Sequence, residues 1–352
     1  MKKVQITKSK TVYNFSEPYL IAEIGANHNG DMVLAKRMID EAVKCGCDAA
    51  KFQSWTPDSL VSKEEYNKNQ KYNDSPKKHF GSLREMVEKY YLTTEQHYEL
   101  ASYCKERNID FCSTPFSNGE VDLLEDIGVQ FYKVASMDIN NYELLKYIAG
   151  KGKPVILSTG MSRLGEIEAA VDIINKVGND DIVLLHCISI YPPLYEDIHL
   201  NNITMLQQTF GYPVGFSDHT MGYSIPLASV ALGSCIIEKH FTLDKDLPGW
   251  DHEISANPEE MKVICQESKN IIRSLGSFTR IISAAEVAKK DIFRRSAVTK
   301  IKMVAGHVIS KDDLDFKRPG TGIQPGELNY MIGRKVKITV DEGELLKWED
   351  FE

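Results

Sequence analysis

Short apolar runs alternate with longer amphipathic stretches along most of the chain. The runs YLIAEI (19–24), AAKFQ (49–53), IDFCS (109–113), VQFYKV (129–134), PVILST (154–159), DIVLLHC (181–187), PVGFS (213–217) and CIIEKH (235–240) are almost continuously apolar. That is the pattern of parallel strands covered on both faces. Between them the apolar positions fall at helical spacing. MVLAKRMIDEAVKCG (32–46) carries Met32, Leu34, Met38, Ile39 and Val43 and stops at Gly46, and GEVDLLEDIG, NYELLKYIAG and RLGEIEAAVDIINKVG also end in glycine, a helix-stop signal. SLREMVEKYYL and EQHYELASYCKER lie between the second and third runs. Eight strand–helix units in about 275 residues predict a (β/α)8 TIM barrel. A doubly wound parallel sheet is the alternative, and the regularity of eight units favours closure.

After the last long helix, NPEEMKVICQESKNIIRSLG (257–276), the pattern changes. Residues 1–283 read as the barrel, 284–293 as a helical linker, and 294–352 as a small all-β domain of short strands and turns. A domain of that size is small for independent stability, so it is expected to pack against another surface.

Composition narrows the function classes. The 352 residues include 42 Lys+Arg and 50 Asp+Glu, a formal charge of −8. This excludes a chain-wide basic footprint for nucleic acid or anionic membrane, though not a small basic pocket for an anionic metabolite. No apolar run approaches the ~18 residues of a membrane span, and the N-terminus has no signal-like apolar segment. Seven cysteines at irregular spacing read as reduced thiols of a cytoplasmic protein.

In a TIM barrel the site is built at the C-terminal ends of the strands. Here those ends carry Glu23; Lys51 and Gln53; Ser113 and Thr114; Lys133, Ser136 and Asp138; Ser158; His186, Ser189 and Tyr191; Ser217, Asp218 and His219; and Glu238, Lys239 and His240. Capping alone does not require buried lysines and histidines, because buried charges need partners. Lys51 and Lys133 with the hydroxyls of Thr114, Ser136, Ser158 and Ser217 suit a phosphate or carboxylate. The alternative is that each lysine merely pairs with a local acid such as Glu23 or Asp138. His219 and His240, at adjacent strand ends, suit an open site for Mn²⁺ or a similar divalent ion. His186 and His28 carry weaker signals. GANHNGD (25–31) lacks the spacing of a nucleotide-binding loop.

Segments spread over nearly the whole chain, IAEIGANHNG, KFQ, STPFS, KVAS, LSTGMS, IYPPLYED, GFSDHTMGYSIPLASVALG, IEKHFTLD and KRPGTGI, resemble the sialic acid synthase family. These are the phosphoenolpyruvate-dependent nonulosonate synthases, which make N-acetylneuraminate, legionaminate or pseudaminate. The resemblance implies a TIM barrel followed by an antifreeze-like (SAF) domain that reaches across a homodimer to the partner's site. It implies that Lys51, Thr114, Lys133, Ser136, Ser158 and Ser217 hold phosphoenolpyruvate. It implies that His219 and His240 bind Mn²⁺ or Mg²⁺, and that Glu23 is a catalytic carboxylate. Gln53, Tyr191 and Asp251 match positions near the acceptor sugar, and Arg318 matches the antifreeze-like-domain arginine that contacts the acceptor's N-acyl end. Three departures fall where the acceptor is expected: Asp138 in place of Glu, Ser189 in place of Asn, and Trp250 in Gly249-Trp250-Asp251 in place of Pro. The expected reaction joins phosphoenolpyruvate to an N-acylated sugar aldehyde, with the donor unchanged and the acceptor open. Alternatives are a synthase for a phosphorylated sugar, a Schiff-base aldolase using Lys133, an ice-interacting protein, or a non-catalytic sugar-binding relative.

Overall fold

The computed structural model describes residues 2–71 and 81–352. They form two compact units, Met1–Gly276 and Ser277–Glu352. The first opens with an antiparallel hairpin, β1 (Val4–Thr7) and β2 (Lys10–Val12). Eight parallel strands follow: β3 (Tyr19–Glu23), β4 (Ala49–Ser54), β5 (Asp110–Pro115), β6 (Tyr132–Val134), β7 (Val155–Ser158), β8 (Ile182–Cys187), β9 (Val214–Asp218) and β10 (Ile236–His240). Their lateral order is β5-β4-β3-β10-β9-β8-β7-β6. Chain neighbours are sheet neighbours, and the first strand pairs with the last, Glu23 beside His240. A doubly wound sheet would reverse direction partway across. This is the nearly closed TIM-like barrel, with β5 and β6 flanking the gap.

The barrel's alternation is visible in its two cores. Leu20, Ala22, Ala50, Phe52, Tyr132, Val134, Val155, Leu157, Ile182, Leu184, Val214, Phe216 and Ile237 pack outward with the helices. Tyr19, Ile21, Ala49, Cys112, Phe131, Ile156, Val183, Leu185 and Ile236 pack inward, together with Val4, Ile6 and Val12 of the hairpin. The hairpin therefore completes the apolar filling of the interior. Strand β6 is shorter than its apolar run predicts. Gly128, at φ 86°, ends the helix Asn118–Ile127, and Val129 N–H then donates to Leu124 O, drawing the chain under the helix end before it extends.

The second unit holds the short helices Ala284–Ala288 and Lys290–Phe293, and an antiparallel pair, β11 (Ser296–Thr299) and β12 (Leu314–Lys317). Its separate core includes Ala297, Met303, Ile309, Leu314, Val336, Val340 and Phe351. Among the described residues, no helix is long and apolar enough to cross a membrane.

Candidate active site

The two-residue period that fills the barrel with apolar side chains also aims the polar ones. Above Ile21 on the inward face comes Glu23. Above Ala49 come Lys51 and Gln53, above Cys112 comes Thr114, and above Phe131 comes Lys133. Above Ile156 comes Ser158, and above Ile236 come Glu238 and His240. These residues open onto one cavity of about 1130 Å³ that also takes in Ser136, Ser189, Tyr191, Ser217, His219 and Asp251. Within the first unit the structure thus brings together all the sequence-predicted site residues except Asp138; Arg318 belongs to the second unit.

Four buried charges, Lys51, Lys133, Glu23 and Glu238, cluster at one end of the cavity. Lys51 Nζ lies 2.7 Å from Glu23 Oε2 and 3.7 Å from Glu238 Oε2, and donates to Thr114 Oγ1 at 3.1 Å. Lys133 Nζ lies 3.2 Å from Glu238 Oε1, which also accepts from Ser217 Oγ at 2.8 Å. Lys51 therefore has the local acid partner, Glu23, that the alternative reading anticipated. Asp138 does not pair with Lys133; Glu238 does. Burial alone would strip Lys51 of its proton, but Glu23 and Glu238 hold it above the usual ammonium range. Burial pushes Glu238 up, yet Lys133 and Lys51 bring it down to about 2. Glu23 ends up raised: burial and Glu238 outweigh Lys51 and the hydrogen bond that Gln53 Nε2 donates to Glu23 Oε1 at 2.7 Å. The cluster is neutral in sum but not satisfied. Glu23 Oε2, Glu238 Oε2 and Ser158 Oγ are buried without a hydrogen bond of good geometry. Ser136 Oγ accepts from Gly160 N–H at 3.0 Å. A β-carbon at Gly160 would lie 2.4 Å from Ser189 Oγ and 2.7 Å from Ser136 Oγ, so this turn needs glycine to bring both hydroxyls close.

The ring centroids of His219 and His240 are 5.5 Å apart, and the Tyr191 ring lies tilted against His219, centroids 4.1 Å apart. His219 Nδ1 donates to Ile188 O at 2.7 Å; burial pushes its pKa down, but Cys187 and that carbonyl raise it above the usual imidazole value. Burial, then His219 and Lys51, push His240 well below the usual imidazole range, so it is neutral. Its Nδ1 is buried with no hydrogen bond, 3.7 Å from Asp251 Oδ2. An orphaned ring nitrogen beside a second imidazole fits an open divalent-metal site. Among the described residues, no group of three or more His, Cys, Asp or Glu is arranged to hold an ion by itself. Such an ion would take its remaining positions from water and substrate. Cys187 faces inward beside them; burial pushes its thiol up, but His219 and Lys133 bring it lower than usual.

Asp138 sits in the turn Ser136–Asp138, and its Oδ1 accepts from Asn141 Nδ2 at 3.4 Å. Burial raises its pKa. Met137, not Asp138, lines the cavity. Arg318 lies in the second unit, with its guanidinium over the Phe293 ring at 4.9 Å. His186 is turned outward by the strand period, stacks on Phe216, and has Nε2 2.6 Å from Ile198 O. His28 is buried, its Nδ1 accepting from Gly30 N–H. Neither lines the cavity. Sequence reasoning missed Glu238 as a site residue. The signal was present: it stands two residues before His240 and so shares its face. It placed Trp250 near the acceptor but missed the rest of an apolar wall, Trp55, Leu60, Val61 and Phe116.

Comparison with known proteins bears on what such a cavity does. Residues 38–280 match the NeuB family and residues 294–352 match the SAF domain. An uncharacterized protein, MJ1065, of Methanocaldococcus jannaschii is 42% identical over 94% of this chain and 94% of its own length. The N,N'-diacetyllegionaminic acid synthase of Legionella pneumophila is 40% identical over 95% of this chain and 94% of its own. The crystal structure of the N-acetylneuraminic acid (sialic acid) synthetase of Leptospira borgpetersenii, in complex with citrate, superposes with a TM-score of 0.73 at 34% identity, covering 82% of this chain and 95% of that one.

Proposed function

The chain belongs to the NeuB family, and from that premise we propose that it is a nonulosonate synthase that condenses phosphoenolpyruvate with an N-acylated mannosamine-type sugar. The products are a nine-carbon 2-keto-3-deoxy acid and inorganic phosphate. The observation that carries the reading is the cavity's two ends: a lysine pair with hydroxyls, and a histidine pair beside Glu23.

Lys51, Lys133 and the hydroxyls of Thr114, Ser136, Ser158 and Ser217 hold the donor's phosphate and carboxylate. Glu23 and Glu238 keep Lys51 charged while the site is empty, so its ammonium group is in place before the anion arrives. Fixing the donor points its C3 methylene at the acceptor, and much of the gain is orientation. C3 adds to the aldehyde carbon while water adds at C2. Glu23, its pKa raised by burial, takes the water proton and returns it to the aldehyde oxygen, which becomes a hydroxyl. The resulting hemiketal breaks its C2–O bond, its hydroxyl proton leaves with the phosphate, and the ketone remains. His219 and His240 are the residues that would hold Mn²⁺ or Mg²⁺, whose Lewis acidity supplies polarisation of a bound oxygen. The resemblance to the sialic acid synthases adds the proposal that the protein acts as a cytoplasmic homodimer, in which Arg318 reaches the partner's acceptor.

Phosphate release from phosphoenolpyruvate, with Mn²⁺ and a panel of N-acylated sugars, tests the reading. Release is expected only when a sugar is present, with a nine-carbon keto acid detected by mass. Full activity of His240→Ala in chelator contradicts the metal assignment.

A further inference from the structure

We propose that Cys47 and Cys265 form a reversible redox lock: an external low-molecular-weight disulfide converts the two thiols into one disulfide, which ties the first β/α unit of the barrel to the last. The inference is independent of the synthase reading, because neither cysteine lines the cavity.

All seven cysteines are free thiols. Local structure brings two of them together. The helix Met32–Cys45, which follows β3, stops at Gly46, whose φ of 92° suits glycine. Cys47 N–H then donates back to Ala42 O at 3.0 Å, and Asp48 N–H donates to Leu20 O at 2.8 Å. The turn thus holds Cys47 beside the end of the helix it has just left. There it meets the helix Pro258–Leu275, which follows β10 and buries Met261, Ile264, Cys265 and Ser268 along one stripe. A β-carbon at Gly46 would lie 3.8 Å from Cys265 Cβ, so the turn runs directly against that helix. The Sγ atoms of Cys47 and Cys265 are 3.8 Å apart, in a thiol–thiol hydrogen bond. The third nearby thiol, Cys45, instead donates to Pro258 O at 3.3 Å. The two units so joined are already neighbours, since β3 pairs with β10.

A disulfide requires the sulfurs to approach by about 1.8 Å. Side-chain rotation at Cys47, which lies outside the helix, supplies that movement. Cys47 is half-buried, whereas Cys265 is buried, so Cys47 is the thiol an oxidant reaches first. Its thiolate attacks one sulfur of oxidised glutathione, forming a mixed disulfide and releasing one glutathione thiol. Cys265 loses its proton and attacks Cys47 Sγ, releasing the second. The protein loses two hydrogens, and the oxidant gains them as two thiols. The hydrogen bond with Cys265, then burial, raises the Cys47 pKa well above the usual thiol value, so exchange is slow at neutral pH and quickens as pH rises. The bond would close a loop between positions 218 apart in sequence, which restricts the unfolded chain strongly.

The test incubates the folded full chain with oxidised glutathione at pH 8, blocks remaining thiols by alkylation, and maps the peptides by mass. The expected product is one linked peptide pair, Cys47 to Cys265, two hydrogens lighter and reversed by dithiothreitol. The oxidised chain should melt ~5 °C or more above the reduced one. Cys47→Ser should abolish both the link and the Tm rise, and Cys45→Ser should leave both. The wild-type peptide map stands even where a variant folds poorly. A link to any other cysteine, a glutathione adduct that never resolves, seven alkylatable thiols after oxidation, or a link without a Tm rise overturns the lock.

Discussion

Two buried charge clusters lie on opposite faces of the same two strands, and they differ in one respect. On the outward face, Lys239 of β10 stands directly beside Asp218 of β9. Lys239 Nζ is 2.5 Å from Asp218 Oδ2 and donates to Thr220 O at 2.6 Å. Asp218 also accepts from Thr220 N–H at 2.9 Å and Thr220 Oγ1 at 3.2 Å. On the inward face, one residue away, Glu238 stands beside Ser217 and joins Lys51, Lys133 and Glu23. Both clusters are sequestered from water. The outer one leaves no buried side-chain atom without a partner, whereas in the inner one Glu23 Oε2 and Glu238 Oε2 have only the Lys51 ion pairs, at 2.7 and 3.7 Å, and nearby Ser158 Oγ has no hydrogen bond. A buried ion pair with every atom partnered holds structure; lysines in a cavity wall beside an unpartnered hydroxyl have donors to offer an incoming anion. Burial and charge alone do not separate the two.

The contrast is broken or sharpened by removing each cluster in turn. The largest expected effect comes from the inner one. Lys133→Met with Glu238→Gln removes a matched pair and should lower kcat/KM for phosphoenolpyruvate by ~10³-fold, with little change in Tm. A fall in Tm with activity preserved would make the inner cluster structural. Next is the outer pair. Lys239→Met strands the Asp218 carboxylate and should cost about 3–5 kcal/mol of stability, measured by urea unfolding, while kcat/KM at low temperature stays within ~10-fold. The reverse result, intact stability and lost activity, would erase the distinction.

A smaller effect is pH dependence. His28 and His252 are buried and neutral, each lowered by burial from 6.5 to about 4. Below pH 6.5 the unfolded chain binds protons that the folded chain refuses, so Tm should fall as pH drops from 6.5 towards 4. Glu238, about 2 when folded against 4.5, adds further loss between 4.5 and 2. A Tm independent of pH between 7.5 and 5 contradicts this. The smallest effect is expected from Arg318→Ala, an increase of ~10-fold in acceptor KM with kcat retained. An unchanged KM would remove Arg318 from acceptor binding.

Much of the barrel was legible because parallel strands buried on both faces must be apolar, so the eight runs stood out from their polar surroundings. Lys51, Lys133, His219 and His240 were legible because buried lysines and histidines at apolar strand ends need partners, and the barrel mouth is where several such ends meet. The two-residue period could have gone further. It separates Glu238 and His240, which face in, from Lys239 and Asp218, which face out, and without it all four looked equivalent. Asp138 defeated sequence reasoning because a single turn, Ser136–Asp138, presents Met137 to the cavity and turns its carboxylate to Asn141. The apolar wall was illegible for another reason. Trp55 and Trp250 come together only through a cluster that spans far-separated segments, and no local pattern announces such a meeting.

The central claim is that the lysines and hydroxyls of the inner cluster bind phosphoenolpyruvate. Its most direct test is phosphate release from phosphoenolpyruvate by the full chain, with Mn²⁺, in the presence and absence of an N-acylated mannosamine-type sugar. The account predicts release that requires the sugar and is lost in Lys133→Met with Glu238→Gln. Release that ignores the sugar, or that survives the loss of both charges, would contradict it.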